Sequence, residues 1–188
     1  MKVLGIMGSP RKKGNTDLLL DEALKGASSM GAEVEKIVPD KLNIEPCREY
    51  YGCLRDGNCV IQDDMDEIYP KLLEYNVIIV ASPMFFYGVT AQVKALIDRC
   101  QALWARKHVL KQDFPDGTRK GVFIGVGATK GKNLFEGSIL TMKYFFNAIG
   151  VKYADELLVW SVDKKGEIRE HPSALPDAVE LGKRVVQD

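Results

Sequence analysis

Histidine, net charge and long apolar runs are what this sequence has least of, and each shortage closes off a class of function. With two histidines, His108 and His171, no Ser-His-Asp relay and no histidine–carboxylate metal cluster can be read; both are expected at the surface. The 26 basic and 26 acidic residues cancel. A neutral chain has no field to draw it to nucleic acid or an anionic membrane, so neither partner is expected. The longest apolar run, Val77-Ile78-Ile79-Val80-Ala81, is strand-sized, and the short run after Met1-Lys2 ends at Gly8-Ser9-Pro10, so neither a membrane span nor a signal peptide is expected. Cysteine is also sparse. Three of the four, Cys47, Cys53 and Cys59, crowd one stretch, which reads as reduced thiols or ligands in a cytoplasmic protein better than as disulfide staples. What remains, 188 residues with 46 % hydrophobic and 28 % charged content, suffices for one buried core, and one domain over residues 1–188 is expected.

Residues 4–16 carry the most information. They run from an apolar strand through a turn into a helix start, with Gly8, Pro10 and Gly14 as punctuation, Ser9, Asn15 and Thr16 as short hydrogen-bonding side chains, and Arg11, Lys12 and Lys13 as charge before the first acid, Asp17. Exposed helix amides, hydroxyls and cations together are the chemistry of a phosphate site. Two familiar motifs fail here on spacing. Gly14 is followed by Asn15-Thr16, where a nucleoside-triphosphatase loop needs Gly-Lys-Ser/Thr; no GxGxxG follows the first strand either, so the dinucleotide fingerprint is absent. Asp40, placed like a ribose-binding acid, is therefore read as turn chemistry. A single phosphate monoester remains.

Hydrophobic periodicity predicts strands at 2–7, 32–38, 77–81, 121–126 and 152–160, and helices at 16–29, from 63 or 64 with Pro70 inside, at 90–107, 133–149 and 172–186. A polar turn is expected around Pro115-Asp116-Gly117. Residues 41–62 form a long irregular, cysteine-containing insertion, and loops of that length usually bind something or are stapled by something. Strands alternating with helices imply a three-layer α/β fold on a five-stranded parallel sheet. Two strand orders are plausible; in the order 2-1-3-4-5, the one expected here, loops 8–16, 82–88 and 125–132 converge at the switch point. Phe85, Phe86 and Tyr87 would wall a flat ring, and Gly88, Gly125, Gly127 and Gly131 would let backbone approach it closely. No charged catalytic pair is present.

Three pieces now carry a resemblance: Gly8-Ser9-Pro10-Arg11-x-x-Gly14-Asn15-Thr16; Ser82-Pro83-Met84-Phe85-Phe86-Tyr87-Gly88 with Lys94-x-x-Ile97-Asp98-Arg99; and the cysteine segment ending Asp63-Asp64-Met65. In this order they resemble the NAD(P)H-dependent FMN reductases, and within them the iron-sulfur flavoprotein branch. The resemblance implies a flavodoxin-like fold, FMN as cofactor, and hydride transfer from NADH or NADPH to FMN and on to a flavin, quinone or iron-sulfur acceptor, the chemistry belonging to the flavin. It implies that Ser9, Arg11, Asn15 and Thr16 hold the phosphate and that Pro83, Met84, Phe85, Phe86, Tyr87 and Gly88 line the isoalloxazine; Lys12 and Gly14 of the same turn are counted with the cofactor-binding residues, and the loop holding Gly127 and Lys130, or Lys132, is expected by the flavin N1/O2 edge. A carrier of the flavodoxin or iron-sulfur flavoprotein kind, without nicotinamide turnover, is the alternative. A homodimer or homotetramer is implied, with Trp104, Arg106, Lys107 and His108 on the surface concerned.

The cysteine segment departs from that branch. Aligned to Cys-x2-Cys-x2-Cys-x5-Cys, it has Tyr50 where the second cysteine belongs. Cys47, Cys53 and Cys59 as ligands of a [4Fe-4S] cluster, a lost or labile cluster, and plain or redox-active thiols all stay open; Cys100 would be either a fourth ligand or part of a buried helix face.

Overall fold

The computed structural model describes residues 1–115 and 118–187; Asp116 and Gly117 of the expected polar turn lie outside them. Parallel strands β1 (Lys2–Met7), β2 (Glu33–Ile37), β3 (Val77–Pro83), β4 (Lys120–Val126) and β5 (Lys152–Val159) form one sheet of order β2-β1-β3-β4-β5. The helices are α1 (Asn15–Ser29), α2 (Cys53–Asp56), α3 (Met65–Glu74), α4 (Ala91–Arg99), α5 (Gln101–His108), α6 (Glu136–Ala148) and α7 (Ala174–Arg184). No described helix is long and apolar enough to cross a membrane.

The β-branched run of β3 reads as continuous because both of its faces are covered. Val77, Ile79 and Ala81 pack with Leu19, Leu20 and Ala23 of α1 and with Ala178 and Leu181 of α7. Ile78 and Val80 point the other way, into Ile68 and Leu72 of α3, Leu96 of α4, Leu103 of α5 and Phe146 of α6. This is the three-layer, flavodoxin-like arrangement. Within the first layer α1 and α7 cross at two glycines: a Cβ on Gly26 would lie 2.1 Å from the Val179 carbonyl oxygen, and one on Gly182 1.9 Å from that of Ala23. Backbone thus meets backbone there, and the chain after β5 is drawn close to the start of α1.

Two stretches differ from the periodicity. The helix expected over 90–107 is divided at Cys100, where the ladder tightens so that the Cys100 amide donates to Ile97 O at 3.0 Å. The irregular segment contains the short helix α2, closed by Gly57 in the left-handed conformation (φ 82°). It is stapled at its base. Buried Arg99 donates from Nη1 to Asp63 Oδ2 (2.5 Å) and Glu45 O (2.9 Å), and from Nη2 to Asp63 Oδ1 (3.1 Å) and Ile61 O (3.0 Å). Asp63 also accepts the amides of Glu45 (2.9 Å) and Met65 (3.0 Å). From α5, Arg106 Nε donates to Gly57 O at 2.8 Å and Nη2 to Asn58 Oδ1 at 2.8 Å.

Candidate functional site

The site begins at Gly8, where the chain leaves β1. The Gly8 amide donates to Ala81 O (2.7 Å) and its carbonyl accepts from Thr90 Oγ1 (2.6 Å), while the Thr90 amide donates to Ser82 Oγ (3.2 Å). A Cβ on Gly8 would lie 2.4 Å from Val93 Cγ2 and 2.7 Å from Ala81 O, so only glycine lets the β1 loop lie against the β3 loop and the start of α4.

Beyond Gly8 the chain folds into a tight turn. The Arg11 amide donates to Ser9 Oγ at 3.2 Å and the Gly14 amide to Arg11 O at 2.9 Å. Lys13 is left-handed (φ 56°), and its amide donates to Asp17 Oδ2 at 2.6 Å. Asp17 is buried in the first turn of α1 and takes Lys36 Nζ on its other oxygen at 3.0 Å, so this acid, next in the chain after the basic residues, is tied into the turn. Gly14, the N-cap, brings no side chain to the helix start, and a Cβ there would lie 2.9 Å from Arg11 O. The first-turn amides of α1 have no capping side chain, which is the arrangement that receives an anion.

In front of this turn lies a cleft enclosing about 100 Å³, lined by Ser9, Pro10, Arg11, Gly14, Asn15 and Thr16, by Pro83, Met84 and Phe85, by Val126 and Ala128, and by Val162, Asp163 and Lys165. Loops after β1, β3 and β4 therefore meet at one place. Lys12, Phe86, Tyr87, Gly88, Gly127 and Lys130 are outside this lining. The reasons are geometric. Phe86 and Tyr87 are the central, left-handed residues (φ 50° and 64°) of a turn closed by reciprocal bonds between Phe85 and Gly88, at 2.9 and 3.0 Å. That turn throws Phe86 fully into solvent. The Tyr87 hydroxyl lies over the β4 loop, 2.6 Å from where a Cβ of Gly131 would sit. Gly127 is buried, with its amide on Val159 O (2.8 Å) and its carbonyl accepting from Val162 N (3.1 Å), while Lys12 and Lys130 stand exposed.

Sequence reasoning missed the contribution of Val162, Asp163 and Lys165. Its available signal was the Asp163-Lys164-Lys165-Gly166 turn, which leaves the same carboxyl edge of the sheet. Neither histidine is a surface residue as expected; both are half-buried. His171 Nδ1 accepts the amides of Ser173 and Ala174 at 3.3 and 3.0 Å, fixing the start of α7. The His108 ring lies 5.4 Å from that of Trp104, its Nε2 buried without a partner among the described residues. Trp104 borders a groove of about 460 Å³ with Leu140 and Tyr144, both exposed.

Cys47, Cys53 and Cys59 surround a cavity of about 30 Å³ together with Tyr50 and Tyr51. Burial pushes the Cys53 thiol up, and Cys59 and Cys47 nearby push it further. Cys100 is not a fourth ligand: it lies in the core with its thiol on Leu96 O at 3.3 Å, and burial drives its pKa upward. Among the described residues no three His, Cys, Asp or Glu side chains are arranged to hold a metal ion. A four-cysteine cluster site does not fit this ligand set.

The profile of the NADPH-dependent FMN reductases matches residues 1–134. The chain belongs to that family. An iron-sulfur flavoprotein of Archaeoglobus fulgidus is 42 % identical over 127 residues, 68 % of this chain and 56 % of that protein, so the chain spans about half its length. A proposed NAD(P)H-dependent FMN-containing oxidoreductase of Bacillus subtilis is 28 % identical over 189 residues, 98 % of each. The solved NAD(P)H:quinone oxidoreductase of Methanothermobacter marburgensis superposes with a TM-score of 0.71 over 98 % of both chains at 19 % identity, a likeness of fold. For a member of an FMN reductase family the cleft residues fit FMN: hydroxyls of Ser9 and Thr16, the Arg11 guanidinium and the uncapped α1 terminus meet the needs of a phosphate, and Pro83, Met84 and Phe85 offer an apolar rim.

Proposed function

We propose that this cleft binds FMN and that the protein is an NAD(P)H-dependent oxidoreductase delivering electrons to a flavin, quinone or iron-sulfur acceptor. One observation carries the reading: a hydroxyl-rich, basic turn at an uncapped helix start faces an apolar rim across a single cleft. FMN, when bound, supplies the two-electron chemistry. Ser9, Thr16, Arg11 and the α1 amides hold the phosphate, and Gly8 sets their distance from β3. Half-exposed Phe85 and the rigid turn behind it leave one side of the cleft open for a nicotinamide. No acid or base from the chain is required. Mixing the flavin-loaded protein anaerobically with NADH and with NADPH is expected to bleach the flavin with at least one of them. Bleaching with neither, in protein that retains FMN, would replace the reductase reading by that of an electron carrier.

The cysteine segment is, on this reading, a thiol site one ligand short of a cluster, because Tyr50 replaces a cysteine and Cys100 is sealed in the core. Anaerobically purified protein is expected to contain flavin with little iron or sulfide, and Tyr50→Cys to raise both after reconstitution. Full cluster stoichiometry in the parent chain would show that three thiolates suffice.

A further inference from the structure

We infer that the loop between β5 and α7 is a fourth wall of the cleft, in which Lys165 supplies charge to the FMN phosphate and so helps select the phosphorylated flavin. The inference rests on the proposal that the cleft binds FMN, and it concerns residues beyond the 134 that the family profile matches. Three charged side chains line the cleft: Arg11, Lys165 and Asp163. Together they leave one positive charge, and without Lys165 they leave none, whereas a phosphate monoester brings between one and two negative charges at neutral pH. Asp163 alone would repel that group; Lys165 beside it cancels that charge and leaves the positive charge of Arg11 in excess.

The loop is held in place before any ligand arrives. Buried Asn15, at the start of α1, donates from Nδ2 to Lys164 O (2.9 Å) and accepts the Ile168 amide on Oδ1 (3.2 Å). Asn15 thus directs its side chain to this loop, leaving its backbone for the anion. Glu167 Oε2 accepts the amides of Asp163 and Lys164 at 2.7 and 2.8 Å, bonds that hold its carboxyl below the usual range. Val162 N reaches Gly127 O at 3.1 Å, and Gly166 turns the chain in the left-handed conformation (φ 82°). A lysine on so fixed a backbone loses less freedom in meeting a ligand than one on a mobile tail.

Titration of the full chain with FMN and with riboflavin, followed by quenching of flavin fluorescence, tests this. Lys165→Met is expected to weaken FMN binding by about tenfold, leave riboflavin binding and the melting temperature unchanged, and flatten the salt dependence of FMN affinity; Lys165→Arg is expected to restore most of the loss. Equal weakening toward both flavins would make Lys165 a packing residue, and no change toward either would make it a solvated one; both results overturn the inference. If the parent chain bound neither flavin, the FMN proposal itself would fall.

Discussion

Arg99→Met is expected to destabilise the protein by about 3–5 kcal/mol, a large part of the roughly 5–15 kcal/mol available to a domain of this kind. The Arg99 and Asp63 side chains are essentially inaccessible to solvent, at 0 % and 1 % exposure. Removing the guanidinium strands a buried carboxylate and leaves the carbonyls of Glu45 and Ile61 without their donor. Because those carbonyls flank the cysteine segment, the variant is also expected to alkylate Cys47, Cys53 and Cys59 faster, as read by mass spectrometry. Arg99→Met combined with Asp63→Leu is expected to recover much of the loss, since no charge is then left buried alone. The pH dependence has a definite sign. Burial by itself would raise the Asp63 carboxyl, but hydrogen bonds from Arg99 and from the amides of Glu45 and Met65 outweigh it and hold the group below the usual carboxylate range. Its contribution is therefore complete above the unfolded value of about 3.9 and is lost as pH falls through the lower folded value. A loss below about 1 kcal/mol in urea unfolding of Arg99→Met would refute the assignment of this pair as the anchor of the segment.

Thr16→Val and Arg11→Met are each expected to weaken FMN binding by about 1.5–3 kcal/mol, roughly 10- to 150-fold, with little change in melting temperature. Thr16 is 3 % exposed at the start of α1. Valine matches its shape, so the variant removes a hydroxyl from the proposed phosphate position and little else. Arg11 is exposed, and its effect should shrink with added salt while that of Thr16 persists. Unaltered FMN affinity in either variant would deprive that residue of its role.

The aromatic loop illustrates how far composition reaches. Phe85, Phe86 and Tyr87 were readable as a wall for a ring, yet Phe85 alone lines the cleft. Local sequence hides the difference, because the turn sets Phe86 and Tyr87 at positive φ, positions usually held by Gly, Asn or Asp, and the fold tolerates that strain at the rim of a site. The histidines fail for a related reason. A lone histidine has no periodicity to betray that His171 closes a helix start.

The sequence by itself determined the five strands and the phosphate-type turn after the first of them, while the strand order, one of two it allowed, was decided by the tertiary pairing. The strands and the turn depend on neighbours a few residues apart: β-branched runs, helical spacing, and glycines where a chain must bend. Only the tertiary structure decided that Arg99 would reach Asp63, 36 residues away, and that Asn15 would reach Lys164, 149 residues away. The first depends on α4 lying over the base of the cysteine segment. The second depends on α1 and α7 approaching backbone to backbone at Gly26 and Gly182, which carries the loop after β5 to the mouth of the cleft. Such contacts are set by how whole layers pack, and no local pattern in the chain encodes them.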